Sequence, residues 1–188
     1  MKVAIRTALV TLLVTGILYP LVVTLLAQLV FPHRANGSLV ERHGHEVGSE
    51  LIGQAFARPA YLHPRGSANA YDAANSGGTN FSTTSAKLRA GATAAAAAYR
   101  AENGLAADVE LPADAITSSA SGLDPHVSPE NAQLQVARIA RARGVDPARV
   151  AALVAEHTTG PELGVLGESR VNVLETNLAL DRSFGEPR

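Results

Sequence analysis

The sequence predicts an α+β protein: one N-terminal transmembrane helix, followed by a single domain of helices packed on a small sheet. Three observations carry this. From Thr7 to Pro32 no side chain is charged, and roughly 20 apolar residues suffice to cross a hydrocarbon core of about 30 Å. Beyond Pro32 the 188-residue chain turns mostly polar. There it alternates short apolar runs with amphipathic segments that carry helix caps.

The span reads as residues 8–31, preceded by a short cytoplasmic segment, 1–7, and followed by one domain, 32–188. A cleaved signal peptide would have an apolar region of about 7–15 residues and a small-x-small exit. This run is longer and leaves through Val30-Phe31-Pro32-His33-Arg34, so the anchor is expected to stay. Lys2 and Arg6 precede it and Arg34 and Arg42 follow. Positive charge thus favours a cytoplasmic N-terminus only slightly. The short N-terminal segment makes the bulk of the chain the translocated part, so the expected placement is single-pass in the cell (inner) membrane with an extracytoplasmic domain. Within the span Gly16, Pro20, Thr24 and Gln28 recur every fourth residue. This ridge of small or polar groups is expected to face another helix, because lipid offers it nothing.

Lys2 and Arg6 are two of the 16 basic residues, so the rest of the chain carries 14 against 17 acidic ones. That balance is no electrostatic footprint for nucleic acid. The absence of cysteine excludes disulfides and thiolate metal sites, and with no tryptophan the core must rest on Val, Leu, Ile and Ala.

Past the anchor, Asn36-Gly37 marks a turn and Ser38–Glu41 a short strand. His43-Gly44-His45 could pair two imidazoles but has no third ligand in view, so a solvated turn is expected and no metal site. Leu51–Gln54 is another apolar run. Residues 61–83 read as loop. Within them Ser76-Gly77-Gly78-Thr79-Asn80 is either a tight connection needing positive φ or a binding or docking loop. No GxxxxGK[ST] cradle occurs. Ser85–Asn103 reads as a helix ended by Gly104, its alanine block packing closely on a neighbour. Asp108–Leu111 alternates like a strand.

The polar segment Thr117–Glu130 closes with Ser128 as N-cap, Pro129 at the first helical position and Glu130 facing the dipole. That helix runs to Arg143, with Ala132, Val136, Ile139 and Ala140 on one face. A second starts at Asp146-Pro147, with Val150, Leu153, Val154 and His157 on one face. Leu163–Leu166, a turn at Gly167–Arg170 and Val171–Leu174 read as a hairpin, and Asn177–Asp181 as a short final helix. Ser121, Asp124 and His126 are the residue types of a catalytic triad, so a membrane-anchored hydrolase is one alternative. They are crowded into one Gly- and Pro-broken segment, though, and no GxSxG elbow exists. Asp124-Pro125-His126 reads more simply as a rigid turn, its carboxylate bonding local amides. A stand-alone binding module is the other alternative.

These pieces, in order, are those of a known family. Tyr19-Pro20-Leu21, Ala27-Gln28 and Phe31-Pro32 stand in and after the span, then Ala35–Leu39, Gly48-Ser49 and Leu51–Gln54. Ser76–Asn80, Ser121–Pro129, Gly164–Glu168, Val171–Leu174 and Asn177–Leu180 follow. Over nearly its whole length the chain resembles the KdpC subunit of the bacterial Kdp potassium-transporting P-type ATPase. It departs from the pattern at His33-Arg34, Phe81-Ser82 and Ala120, positions that bear on loop geometry.

The resemblance implies an accessory subunit of a high-affinity ATP-driven potassium uptake complex. Its partners would be a channel-like potassium-selective subunit, a P-type ATPase subunit, a small stabilising subunit and membrane lipid. It also implies a catalytic chaperone that raises the pump subunit's ATP affinity. The complex would use ATP, Mg and K, with no cofactor bound by this chain. The Asp-Lys-Thr-Gly phosphorylation motif of such pumps is missing here, so phosphoryl transfer would belong to a partner and no catalytic residue is expected. The implied membrane-helix interface is Gly16, Tyr19, Pro20, Thr24 and Gln28. The implied docking or ion-entrance positions are Ser76, Gly77, Gly78, Thr79, Asn80, Asp124 and His126, with oxygen atoms suited to a hard cation.

Overall fold

A computed structural model describes residues 1–187. The chain divides into two compact units, Met1–Ser49 and Glu50 onward.

The first unit is a long helix and a hairpin. Helices α1 (Lys2–Leu13) and α2 (Tyr19–Val30) run into one another through a π-helical turn, Val14–Leu18. Together they make one apolar rod, Lys2–Val30, with none of its residues buried. At 1.5 Å per residue the rod is about 43 Å long, enough to cross a bilayer with tilt to spare. The π turn explains how a proline is tolerated at mid-span. Tyr19 N–H reaches back to the Val14 carbonyl, and the donorless nitrogen of Pro20 falls in the first turn of α2.

A short helical turn, α3 (Pro32–Ala35), follows. Strands β1 (Leu39–Arg42) and β2 (His45–Ser49) then pair antiparallel, with Val47 the extra residue of a bulge. His43 and Gly44 form the two-residue connection, both at positive φ (51° and 78°). That geometry suits the twist of a tight hairpin and accounts for a His-Gly pair at its tip.

The second unit is built around α6 (Pro129–Arg143), which packs against α4 (Ala86–Asn103), α7 (Pro147–Glu156) and β5 (Arg170–Asn172). Helix α8 (Val173–Phe184) packs on α7 and β5. A three-stranded antiparallel sheet has β5 at its centre, flanked by β3 (His126–Val127) and β4 (Thr158–Thr159). The core is aliphatic: Leu62, Val136, Ile139, Val150, Leu153, Val171 and Leu180 among others. The capping residues act as their sequence implies. Ser85, Ser128, Asp146 and Asn172 each accept a backbone N–H of the first turn, and Gly104 and Gly144 end α4 and α6 in the left-handed conformation.

Four expectations need correction. Asp108–Leu111 is not a strand; no neighbouring chain pairs with it, and the Val109 carbonyl is taken by Arg100 at 2.9 Å. The hairpin arms are Thr158-Thr159 and Arg170–Asn172, with 160–169 the loop between them, so Leu163–Leu166 lies in the turn rather than in a strand. Val173 and Leu174 begin α8 rather than extend β5, because the Asn172 side chain caps the helix by accepting Glu175 N–H at 3.1 Å. The alanine block of α4 also meets less than expected: Ala94, Ala97 and Ala98 are exposed, and that helix packs mainly by α5 (Ala113–Ile116) and α6.

Candidate functional site

The positions singled out in the anchor are all exposed. Gly16 lies inside the π turn, and Tyr19, Pro20, Thr24 and Gln28 lie along α2. An added Cβ at Gly16 would meet nothing within 4 Å. Gln28 has a partner that periodicity did not reveal. Its amide exchanges two hydrogen bonds of 3.2 Å with Asn36, whose Nδ2 also donates to the Pro32 carbonyl at 2.7 Å. The end of the rod is thereby tied to the turn that follows it.

In the second unit the loop positions separate into two settings. Ser76–Asn80 runs against Ser119–Gly122: Gly77 N–H donates to the Ser121 carbonyl at 2.8 Å, as does Ser76 Oγ at 3.1 Å. The glycines are there for close approach. A Cβ on Gly78 would stand 2.6 Å from the Ala120 carbonyl oxygen, and one on Gly122 (φ +70°) would stand 2.7 Å from that of Gly77. Asn69 and Ser67 hold the same junction, with Ser67 Oγ donating to the Gly122 carbonyl at 2.7 Å and accepting Tyr71 N–H at 2.9 Å. Thr79 then lines an apolar groove of about 230 Å³ with Phe81, Leu88 and Ile116, while Asn80 is exposed at φ +53°.

Asp124 and His126 belong to the second setting, a polar cleft of about 360 Å³ lined also by Arg65, Asp114, Glu168 and Arg170. Pairing of His126 with Asn172 across β3 and β5 fixes their place, reinforced by Val173 N–H donating to the Pro125 carbonyl at 2.9 Å. Asp124 Oδ1 accepts His126 N–H at 3.0 Å and faces the His126 ring at 3.7 Å; Oδ2 accepts from Arg65 at 2.9 Å. Burial pushes this carboxyl up, but the His126 ring and amide and the Arg65 guanidinium outweigh it and hold it below the ordinary aspartate value. The local bond expected of the Asp124 carboxylate is present in its acceptance of His126 N–H, but His126 lies in β3 rather than in a turn. Ser121 is bonded elsewhere, its hydroxyl 3.0 Å from that of Ser119 and accepting Leu123 N–H. Among the described residues no cluster of three or more His, Asp or Glu could hold a metal ion.

A buried polar scaffold behind these loops was missed from the sequence. Asp114 receives Ser128 N–H, Ser128 Oγ and Asn131 Nδ2 at 2.7–3.0 Å, placing a carboxylate at the N-terminus of α6. Arg138 donates to the Pro59 and Tyr61 carbonyls, Asn103 Oδ1 and Gln135 Oε1. Asn177 grips both backbone groups of Leu62. Residues 58–63 have no regular structure, so helical side chains satisfy their backbone instead. Asn131, Gln135 and Arg138 stand at i, i+4 and i+7 beside the apolar face of α6, a stripe that could have been read as inward-facing.

Comparison with known proteins decides the family. The profile described as "KdpC: K+-transporting ATPase, c chain" matches residues 1–182. The chain belongs to the KdpC family. It is 56% identical to the potassium-transporting ATPase KdpC subunit of Myxococcus xanthus, over 97% of this chain and 87% of that one. It is 54% identical to the KdpC subunit of Cereibacter sphaeroides (strain ATCC 17029 / ATH 2.4.9), over 90% and 89%. Against that of Mycobacterium tuberculosis (strain ATCC 25177 / H37Ra) it is 49% identical over 95% and 96%. As a KdpC chain it is a subunit of a potassium-transporting ATPase, and the Lys2–Val30 rod is its candidate transmembrane helix.

Proposed function

We propose that this chain is a non-catalytic accessory subunit whose second unit stands on the extracytoplasmic side and holds neighbouring subunits in register. The observation that carries the reading is the anchor: an apolar rod with no buried residue, bearing Gly16, Pro20, Thr24 and Gln28 where lipid gains nothing from them. The partners proposed are the channel-like potassium-selective subunit, the P-type ATPase subunit and the small stabilising subunit of one complex, with membrane lipid around the rod. ATP, Mg and K are then substrates and cofactors of the complex, not ligands of this chain. Its effect on ATP affinity is indirect. A domain outside the membrane acts on cytoplasmic ATP by binding one conformation of the pump better than another, which raises affinity by linkage.

Detergent extraction and co-purification test the assembly. Wild type should bring down its partners, and Gly16→Leu combined with Thr24→Leu should recover far less of them. ATP titration of the complex with and without this chain tests the linkage. Measured ATP binding by the chain without partners would contradict it. Protease applied from the outer side should remove the second unit; protection there would overturn the orientation.

A further inference from the structure

The loop between β4 and β5 presents apolar side chains to solvent in a braced, rigid form. Leu163 is 90% exposed, Val165 80% and Leu166 57%. The loop closes on itself: Glu162 and Leu166 exchange backbone hydrogen bonds of 2.8 and 2.9 Å, and Gly164 N–H donates to the Pro161 carbonyl at 3.1 Å. Leu163 is held at φ +53°, a conformation that costs a branched residue energy and that the surrounding turn maintains. Glu162 and Arg170 face one another at 3.6 Å across the base. A preordered apolar tip loses little freedom on binding, which is the economy of a docking knob.

We infer that the tip Leu163-Gly164-Val165-Leu166 is a docking knob of the second unit, and that its occupant is an apolar socket on another polypeptide of the ATPase, rimmed by basic or hydrogen-bond-donating groups. This rests on the docking reading above and says which surface performs it. Charge selects the occupant. Residues 160–170 contain no Lys or aromatic residue, and their charges are Glu162, Glu168 and the Arg170 that faces Glu162, so the loop is acidic on balance. A loop that enters a bilayer surface carries cationic and aromatic side chains, and acidic ones are repelled by anionic headgroups. A second copy of the chain docking knob to knob would set one acidic loop, with its Glu168, against another. A socket with a positive rim meets both demands. Glu168 and Arg170 also line the polar cleft that holds Asp124 and His126, so the loop that carries the knob borders that cleft.

The test uses the full chain co-expressed with its partner subunits. Leu163→Ser with Val165→Ser should lower recovery of partners by about tenfold or more while the thermal midpoint of the chain stays unchanged. Because the chain has no cysteine, Val165→Cys supplies a unique label that does not depend on the double variant folding. It should react with a water-soluble thiol reagent at least about tenfold more slowly in the complex than in the chain alone. Equal recovery together with equal reactivity overturns the proposal. Quenching of a fluorophore at that position by nitroxide lipids, or a disulfide between two copies, overturns it in favour of bilayer or self-contact. If wild type recovers no partner at all, the docking reading itself falls, an outcome distinct from a wild-type complex indifferent to the knob.

Discussion

Asp181→Ala tests the polar scaffold most directly. The Asp181 and Arg143 side chains are each only 2% exposed and meet at 2.8 Å. Arg143 also donates to the Ala60 carbonyl at 2.7 Å and the Gly185 carbonyl at 2.8 Å, and its guanidinium lies 5.1 Å from the Tyr61 ring centre. Tyr61 donates to Asp181 Oδ2 at 3.1 Å; burial first, and then this bond, raise the phenol above its ordinary pKa. Removing Asp181 leaves a buried guanidinium without its counter-charge, which costs about 3–5 kcal/mol. For a chain of this size that lowers the melting temperature by roughly 6–20 °C. Arg143→Met should cost a similar amount, because it takes the Arg143 charge away from the buried Asp181 carboxylate and the donor from the Ala60 carbonyl. The double variant should then lose about 1–3 kcal/mol less than the sum of the singles. Circular dichroism melts of the full chain in detergent, read as a double-mutant cycle, measure both quantities. Single costs below about 1 kcal/mol, the level of an exposed ion pair, or strictly additive losses would refute the reasoning.

Gly122→Ala combines positive φ with a clash on Asn69 and Gly77 and should cost about 2–4 kcal/mol, whereas Gly160→Ala, with nothing within 4 Å, should change stability by less than about 0.5 kcal/mol; chemical denaturation compares the two. Ser128→Ala removes the α6 cap and one bond to Asp114, a loss of about 1–2 kcal/mol that Ser128→Thr should largely restore in the same measurement. Asp124 has a folded pKa below its unfolded one, so its contribution is fully present above the unfolded value and is lost as pH falls through the folded value. Asp124→Asn should therefore flatten the acid limb of a stability–pH curve below about pH 4 and leave the slope near neutrality unchanged.

Local chemistry was legible in the sequence, long-range chemistry was not. Ser85, Ser128 and Asp146 announce helices because a cap acts within three residues, and Gly104 and Gly144 end them for equally local reasons. The apolar faces of α6 and α7 follow from period alone. Val171–Leu174 misleads because its β-branched residues suit a strand, while the switch to helix is made by the Asn172 side chain. Asp108–Leu111 alternates without a partner, and alternation says nothing about whether a neighbour exists. The bond of the Asp124 carboxylate to a local amide could be read from Asp124-Pro125-His126 itself, but the pairing of His126 in β3 and the approach of Arg65 come from far off in the chain. The apolar knob went unread because Leu and Val in a short run look like strand wherever burial is unknown. Arg138, Arg143 and Asn177 serve backbone groups more than seventy residues away, and no local pattern encodes that.

The irregular stretch 58–63 has a temporal consequence. Leu62 bonds to Asn177 across 115 positions of sequence, and the Arg58 side chain reaches the Pro187 carbonyl across 129. During synthesis this stretch is therefore made long before the groups that satisfy it. The side chains of α6 can satisfy the Pro59, Ala60 and Tyr61 carbonyls, but the Leu62 amide and carbonyl stay hydrated until α8 arrives, since closing so wide a loop comes late in assembly. A chain cut short before α8 would leave the Leu62 backbone facing water, an open seam that only the arrival of Asn177 closes.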